Sequence, residues 1–150
     1  MPLIAVNGIE LYYQSHGTGA PLLVLAGLGL DVSEMGTLTG PLAARFRVIA
    51  ADNRGAGRSA KPPGPYSIEQ MAADVAGLMD RLELPRAHVL GMSLGGRIAM
   101  ALALAAMARQ MHDLIPGSRL VLIDGGHLAP LHTRHERLVA EVSAFLTASG

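Results

Sequence analysis

Short apolar segments alternate with amphipathic helical segments along most of the chain, and this alternation restricts the fold more than any other feature. The apolar segments are short enough to be buried strands, whereas the segments between them repeat apolar residues with the period of a helix. The predicted order is strand 21–26, helix 36–46, strand 47–51, helix 67–82, strand 87–91, helix 94–114, strand 119–124 and helix 133–147. This order predicts an α/β fold with a mostly parallel sheet and helices on both faces.

The first residues follow a different pattern. Two alternating segments, Leu3–Val6 and Ile9–Gln14, flank Asn7-Gly8, a dipeptide typical of a two-residue β-hairpin turn. The chain has 150 residues, which is the length of one domain. We therefore predict a single domain over residues 1–150 with a sheet of about six strands, the first two forming an antiparallel hairpin.

Charge and cysteine content exclude several classes of function. Lys plus Arg and Asp plus Glu each number 12, so the formal net charge is zero and a basic surface for nucleic acid is not expected. The chain has no cysteine, which excludes disulfides, thiolate metal sites and a cysteine nucleophile. No apolar stretch approaches the length of about 18 residues that predicts a membrane span. The N-terminus lacks the features of a signal peptide. We expect a cytoplasmic protein with neither a nucleic-acid nor a membrane partner.

Two patterns resemble weak cofactor or metal motifs. Gly27 and Gly29 follow a strand, as in a dinucleotide fingerprint, but Val32 stands where the third glycine is needed. His132 and His135 could ligate a metal, yet no third ligand accompanies them at the start of a predicted helix. We expect no bound cofactor and no metal.

Residues 91–95 read Gly-Met-Ser-Leu-Gly and match the G-x-S-x-G pattern. The pentapeptide directly follows a predicted buried strand and opens a predicted helix, which is the setting of a nucleophile elbow. The alternative interpretation is a glycine-rich turn in which Ser93 only caps the helix.

Four motifs, in this order, resemble the α/β-hydrolase family, and within it the enol-lactonases and carboxylesterases. They are Ala26-Gly-Leu-Gly29, Asp52-Asn-Arg-Gly-Ala-Gly-Arg-Ser59, Gly91-Met-Ser-Leu-Gly-Gly96 and Asp124-Gly-Gly-His127. The family usually has a histidine where Ala26 stands. The resemblance implies a minimal α/β-hydrolase core.

The resemblance also implies a role for each residue of the site. Ser93 would attack an acyl carbonyl, and His127 would accept its proton as general base. The backbone N–H groups of Leu28 and Leu94 would stabilise the oxyanion. Asp124 is a possible acid that orients His127, but it could instead bind turn amides. His127 could also be an ordinary polar residue on a loop.

Three charged residues, two of them inside the second motif, are not expected to act in catalysis. Asp52 and Arg54 are expected to shape their own loop through an arginine–carboxylate network. Asp31 follows the third strand, on the opposite side of Ser93 from His127, and is a poor candidate to orient that histidine.

The chain is much shorter than the roughly 250 residues of a single α/β domain of this kind. Residues 1–105 resemble the family's first half and residues 106–150 its C-terminal tail. The resemblance therefore implies an internal deletion of the helical cap and of the acid-bearing strand. Such a deletion would expose apolar residues of the long helix and favour a homodimer. The residues concerned are Leu102, Leu104, Met107 and Met111.

The sequence thus predicts a weak serine hydrolase of carboxylic esters or lactones that forms an acyl-enzyme on Ser93. The alternative is a non-catalytic scaffold, or a self-assembling core, that has lost its triad acid. A small-molecule binder is a third possibility.

Overall fold

The structure, a computed structural model, describes residues 3–114 together with residues 140 and 144. The chain divides into two compact units, Met1–Leu102 and Ala103–Gly150. The predicted strand 119–124 lies outside the described residues. So does the predicted helix 133–147, apart from the helical Ala140 and Ala144.

Within residues 3–114 the chain forms five strands and three helices. They are β1 (Leu3–Val6), β2 (Ile9–His16), β3 (Pro21–Leu25), α1 (Gly36–Leu42), β4 (Arg47–Ala51), α2 (Ile68–Arg81), β5 (His88–Gly91) and α3 (Leu94–Leu114). The strands lie in the order β1-β2-β4-β3-β5. Strand β2 is antiparallel to both β1 and β4, whereas β3 is parallel to β4 and β5. The predicted α/β fold with an N-terminal hairpin is confirmed, with five of about six expected strands in the described part.

The hairpin turn has the backbone that its sequence favours. Asn7 has a φ of 46° and Gly8 a φ of 77°. Two positive φ values suit a type I′ turn, whose twist matches that of the flanking strands. The turn therefore fixes the register of β1 against β2, in which Val6 faces Ile9.

The three parallel strands end level with one another. Leu25, the last residue of β3, is paired both with Ala51 of β4 and with Gly91 of β5. The loops that follow these strands consequently leave the sheet at the same edge. In open α/β sheets ligands bind at this carboxyl edge.

Apolar side chains fill both faces of the sheet. Alternate residues of a strand point to opposite faces, so Leu23 and Leu25 lie in one cluster while Leu22 and Val24 lie in the other. Helix α2 and the start of α3 cover the first face, and α1 with the preceding loop covers the second. This arrangement confirms the expected placement of helices on both faces.

Helix α1 ends at Leu42 instead of the predicted Phe46. Its sequence, Gly-Thr-Leu-Thr-Gly-Pro-Leu, combines residues of low helix propensity with an internal proline at position 41. The chain continues in turns, in which the N–H groups of Arg45 and Phe46 both donate to the Leu42 carbonyl.

The apolar side chains expected to be exposed on α3 divide into two groups. Leu104 is 62% exposed and Met107 is 57% exposed. The expectation was wrong for Leu102, which packs against the first cluster because it lies one helical turn after the fully buried Ile98. The side chain of Met111 lies outside the described residues. No helix in the described ranges is long and apolar enough to cross a membrane.

Candidate active site

Ser93 is the second residue after β5 and directly precedes α3, at a point where the chain turns sharply. Its φ of 52° lies in the left-handed region, which costs a non-glycine residue roughly 1–2 kcal/mol. Its side chain is exposed, while its carbonyl accepts hydrogen bonds from the N–H groups of Gly96 (3.0 Å) and Arg97 (3.3 Å). The strained backbone thus holds the hydroxyl-bearing carbon out of the helix, as an elbow requires.

The two glycines of the pentapeptide permit close backbone packing around this turn. A Cβ on Gly95 would come under 3.0 Å from the carbonyl oxygens of both Leu25 and Ala26. A Cβ on Gly91 would be equally close to the carbonyl of Gly95. The N–H of Met92 donates to the Leu25 carbonyl at 3.1 Å. Main-chain contacts with the end of β3 therefore set the position of Ser93.

Residues 26–30, here called the 26–30 loop, follow β3 and run beside Ser93. A Cβ on Gly27 would be 3.7 Å from the Cβ of Ser93. The loop turns at Gly29, with a φ of 77°, and the N–H of Leu30 donates to the Gly27 carbonyl at 3.4 Å. Leu28, at the tip of this turn, is 82% exposed. The loop thus places the Leu28 backbone at the same edge of the sheet as Ser93.

The backbone N–H groups of Leu28 and Leu94 have no hydrogen-bond acceptor among the described residues. Leu94 is the first residue of α3, where an N–H has no partner inside the helix. Ser93, Leu94 and the loop of Leu28 therefore lie together at one edge of the sheet. His127 and Asp124, the predicted base and possible acid, lie outside the described residues.

Residues 20–106, more than half of the chain, match a protein family described as alpha/beta hydrolase fold. The chain belongs to this family. It is 43% identical over 109 residues to "Putative carbamate hydrolase RutD" of Azorhizobium caulinodans, covering 73% of this chain and 41% of that protein.

Two solved structures of named hydrolases are similar to this α/β-hydrolase. The enol-lactonase from Burkholderia xenovorans LB400 is 41% identical with a TM-score of 0.66, and the match covers 73% of this chain and 42% of the enol-lactonase. A thermophilic esterase from Thermogutta terrifontis is 34% identical with a TM-score of 0.67, and the match covers 71% of this chain and 42% of the esterase. The chain thus spans about two fifths of the length of these relatives.

The loop after β4 supports the α/β-hydrolase site from the other side of β3. Asp52 is 1% exposed, and its carboxylate accepts hydrogen bonds from the N–H groups of Val32 (2.6 Å) and Arg58 (2.8 Å). Because both carboxylate oxygens accept from backbone amides, Asp52 is a structural residue, but it takes no part in the arginine–carboxylate network expected from the sequence.

Arg54 is also structural, and its partner is Asp74 of α2. Its Nε and Nη2 groups donate to the two carboxylate oxygens at 2.5 and 2.6 Å, and both side chains are about 5% exposed or less. The hydrogen bond to Asp74 raises the pKa of Arg54 above its ordinary value. Asn7 donates to the same carboxylate at 3.2 Å. These hydrogen bonds connect the loop after β4 to α2 and to the turn of the β1–β2 hairpin.

The Asp31 carboxylate accepts hydrogen bonds from the next residues of its turn, as the side chain of a helix-capping residue does. Its Oδ1 accepts from Ser33 Oγ at 2.5 Å and from the Ser33 N–H at 2.8 Å, while Glu34 accepts from the Asp31 N–H at 2.9 Å. The hydrogen bond from the Ser33 hydroxyl is the main reason that the pKa of Asp31 is lowered. The Oδ1 atom of Asp31 is thus bonded within its own turn.

Two polar residues that support the site were missed by the sequence analysis. Asp74 could have been found, since it lies among Met71, Val75 and Leu78 on the buried face of α2, where an isolated carboxylate requires a partner. Asn53, which is buried and donates to the Ala26 carbonyl at 3.3 Å, carries no signal in the sequence. Within the described ranges no three side chains of the metal-ligating types come together.

Proposed function

We propose that this α/β-hydrolase is a serine hydrolase of carboxylic esters or lactones that forms an acyl-enzyme on Ser93. The observation that carries the proposal is the exposed Ser93 at a φ of 52° between β5 and α3. The backbone N–H groups of Leu28 and Leu94, which have no acceptor within the described part of the chain, lie at the same edge of the sheet. A nucleophile next to spare backbone donors is the arrangement that acyl transfer needs.

The mechanism proceeds in two halves. In the first, the Ser93 Oγ attacks the acyl carbonyl while His127 accepts the hydroxyl proton and passes it to the departing alkoxide. The N–H groups of Leu28 and Leu94 bind the negative oxygen of the tetrahedral intermediate. In the second half a water molecule, deprotonated by His127, hydrolyses the acyl-enzyme and releases the acid. Asp124 is the candidate that orients His127.

The names of the relatives define the substrates to compare. They include a lactonase, an esterase and a protein whose name gives a carbamate as its substrate. All three substrates place a carbonyl next to a leaving group, so one serine mechanism serves them. We place esters and lactones first because they lack the nitrogen whose resonance donation makes a carbamate carbonyl less electrophilic.

Hydrolysis of p-nitrophenyl acetate tests the proposal. We expect activity in the wild type and only background rates in Ser93→Ala and His127→Ala. Ser15→Ala is the matched control, since Ser15 is an exposed serine on β2, and it should keep the wild-type rate. Ser93→Ala activity equal to that of the wild type would overturn the assignment.

A non-catalytic scaffold is the second candidate, and one observation favours it. The chain spans only about two fifths of the length of its hydrolase relatives. A fluorophosphonate separates the two functions because it labels only an activated serine. Labelling that is abolished in Ser93→Ala supports the hydrolase, and a folded wild type that is not labelled supports the scaffold.

A further inference from the structure

We infer that Asn53 is a positioning residue that fixes the 26–30 loop for the acyl transfer proposed above, on which this inference rests. Asn53 is the second residue after β4, and its side-chain Nδ2 donates to the carbonyl of Ala26, the first residue of the loop. Asn53 is 9% exposed and Ala26 is 1% exposed, so water cannot easily replace either partner. The bond joins residues 27 positions apart in the sequence.

The two residues after β4 hold the two ends of the segment that contains the loop. Asn53 binds the Ala26 carbonyl at its start, and Asp52 binds the Val32 N–H at its end. Asp52 is itself fixed, because its second oxygen accepts from the Arg58 N–H at 2.8 Å. The preceding carbonyl, that of Leu25, is bonded to Met92 of the elbow. The elbow and the loop after β4 thus anchor consecutive carbonyls at the end of β3.

Anchoring at the ends matters because, within the loop, the structure shows one turn hydrogen bond, from Leu30 to Gly27, and the packing of Leu30, but no hydrogen bond of Leu28 to a described residue. The Leu28 side chain is 82% exposed and so contributes little packing. The position of the Leu28 N–H therefore depends on the bonds at the ends of its segment. Displacement of a catalytic group by about 1 Å can lower a rate on the order of 100-fold. A loss of the Asn53 bond should consequently affect the transition state more than substrate binding.

A simpler role is also available to Asn53, which is to satisfy the buried Ala26 carbonyl without influencing catalysis. The two roles differ in their effect on kcat. A residue that only stabilises the fold lowers the fraction of folded protein and leaves the kcat of the folded protein unchanged. A residue that positions the oxyanion donor lowers kcat at nearly constant KM.

Asn53→Leu tests the inference because leucine has a similar volume and no donor. Thr39→Val is the matched control, since it also removes a buried side-chain hydrogen bond to a backbone carbonyl, the one from Thr39 Oγ1 to Met35 at 3.2 Å in α1, with little change of shape. With p-nitrophenyl acetate we expect kcat per folded molecule to fall roughly 10- to 100-fold in Asn53→Leu with KM changed by less than about 3-fold. Thr39→Val should keep the wild-type kcat.

Asn53→Ala provides a second variant if leucine prevents folding, because it removes the donor without placing a longer apolar side chain at the buried position. A folded variant of either kind with wild-type kcat would overturn the positioning role, and so would an equal loss of kcat in Thr39→Val. The wild type and Ser93→Ala are assayed in parallel. If these two do not differ, the proposed function fails and the positioning role falls with it. If they differ and the Asn53 variants match the wild type, only the positioning role falls.

Discussion

Replacing Asp74 by leucine should destabilise the fold by about 3–5 kcal/mol, because it leaves the guanidinium of Arg54 buried without its counter-charge. The two side chains are 5% and 4% exposed and share two hydrogen bonds at 2.5 and 2.6 Å. An ion pair on the surface would contribute only about 0–1 kcal/mol. Burial is therefore what makes the loss of one partner large.

The magnitude can be compared with the whole stability of the fold. A domain of this size is stable by about 5–15 kcal/mol, so a loss of about 3–5 kcal/mol would remove between roughly a fifth and all of that margin. At about 2–4 °C per kcal/mol, the unfolding midpoint should fall by roughly 6–20 °C. Arg54→Met should have an effect of similar size, since it leaves the carboxylate of Asp74 buried with Asn7 as its remaining donor.

Urea unfolding followed by circular dichroism measures these effects, and a double-mutant cycle separates the pair from its surroundings. The double variant Arg54→Met/Asp74→Leu removes both charges and fills the space with apolar groups. It should lose less stability than either single variant, by about 1–3 kcal/mol, because no buried charge remains. The reasoning would be refuted by single variants within about 1 kcal/mol of the wild type, or by losses that simply add.

Two further predictions concern acid stability and association. The lowered pKa of Asp31 means that its carboxylate stabilises the fold above its ordinary pKa of 3.8, and that this contribution disappears as pH falls through the lower folded value. Asp31→Asn should therefore be less stable than the wild type at neutral pH, with the difference in unfolding free energy closing below pH 3.8 in urea titrations. A difference independent of pH would contradict this. The exposed Met100 and Leu104, each 62% exposed, and the zero net charge favour self-association, so light scattering should give twice the chain mass of 15.6 kDa. A monomer throughout a concentration series would count against the homodimer.

Much of the fold could be predicted because its signals are local. The apolar run at 47–51 became β4 at Arg47–Ala51 without a shift of either end. Ser67 and Gln70 have the spacing of a capping box, and the Ser67 side chain accepts from the Gln70 N–H at 3.0 Å at the start of α2. Patterns of this kind depend only on neighbouring residues, which a sequence displays directly.

The site was predictable only in part, for the same reason. The position of Ser93 follows from five consecutive residues. The support around it comes from residues far apart in the chain, such as Asn53 with Ala26 and Arg54 with Asp74, which are 27 and 20 positions apart. No local sequence pattern determines which donor is hydrogen-bonded to which acceptor over such separations. The roles given to His127 and Asp124 stay predictions, because these residues lie outside the described part of the chain.

The level ends of β3, β4 and β5 make the site sensitive to errors of strand pairing. A slip of β5 by one residue against β3 would move Ser93 by about 3.3 Å and turn its neighbours to the opposite face of the sheet. Such a chain would keep nearly the same content of helix and strand, and bulk spectroscopy would count it as folded. The fraction of chains that regain their secondary structure and the fraction in which Ser93 is correctly positioned are therefore separate quantities. A serine-directed label would measure the fraction with Ser93 correctly positioned.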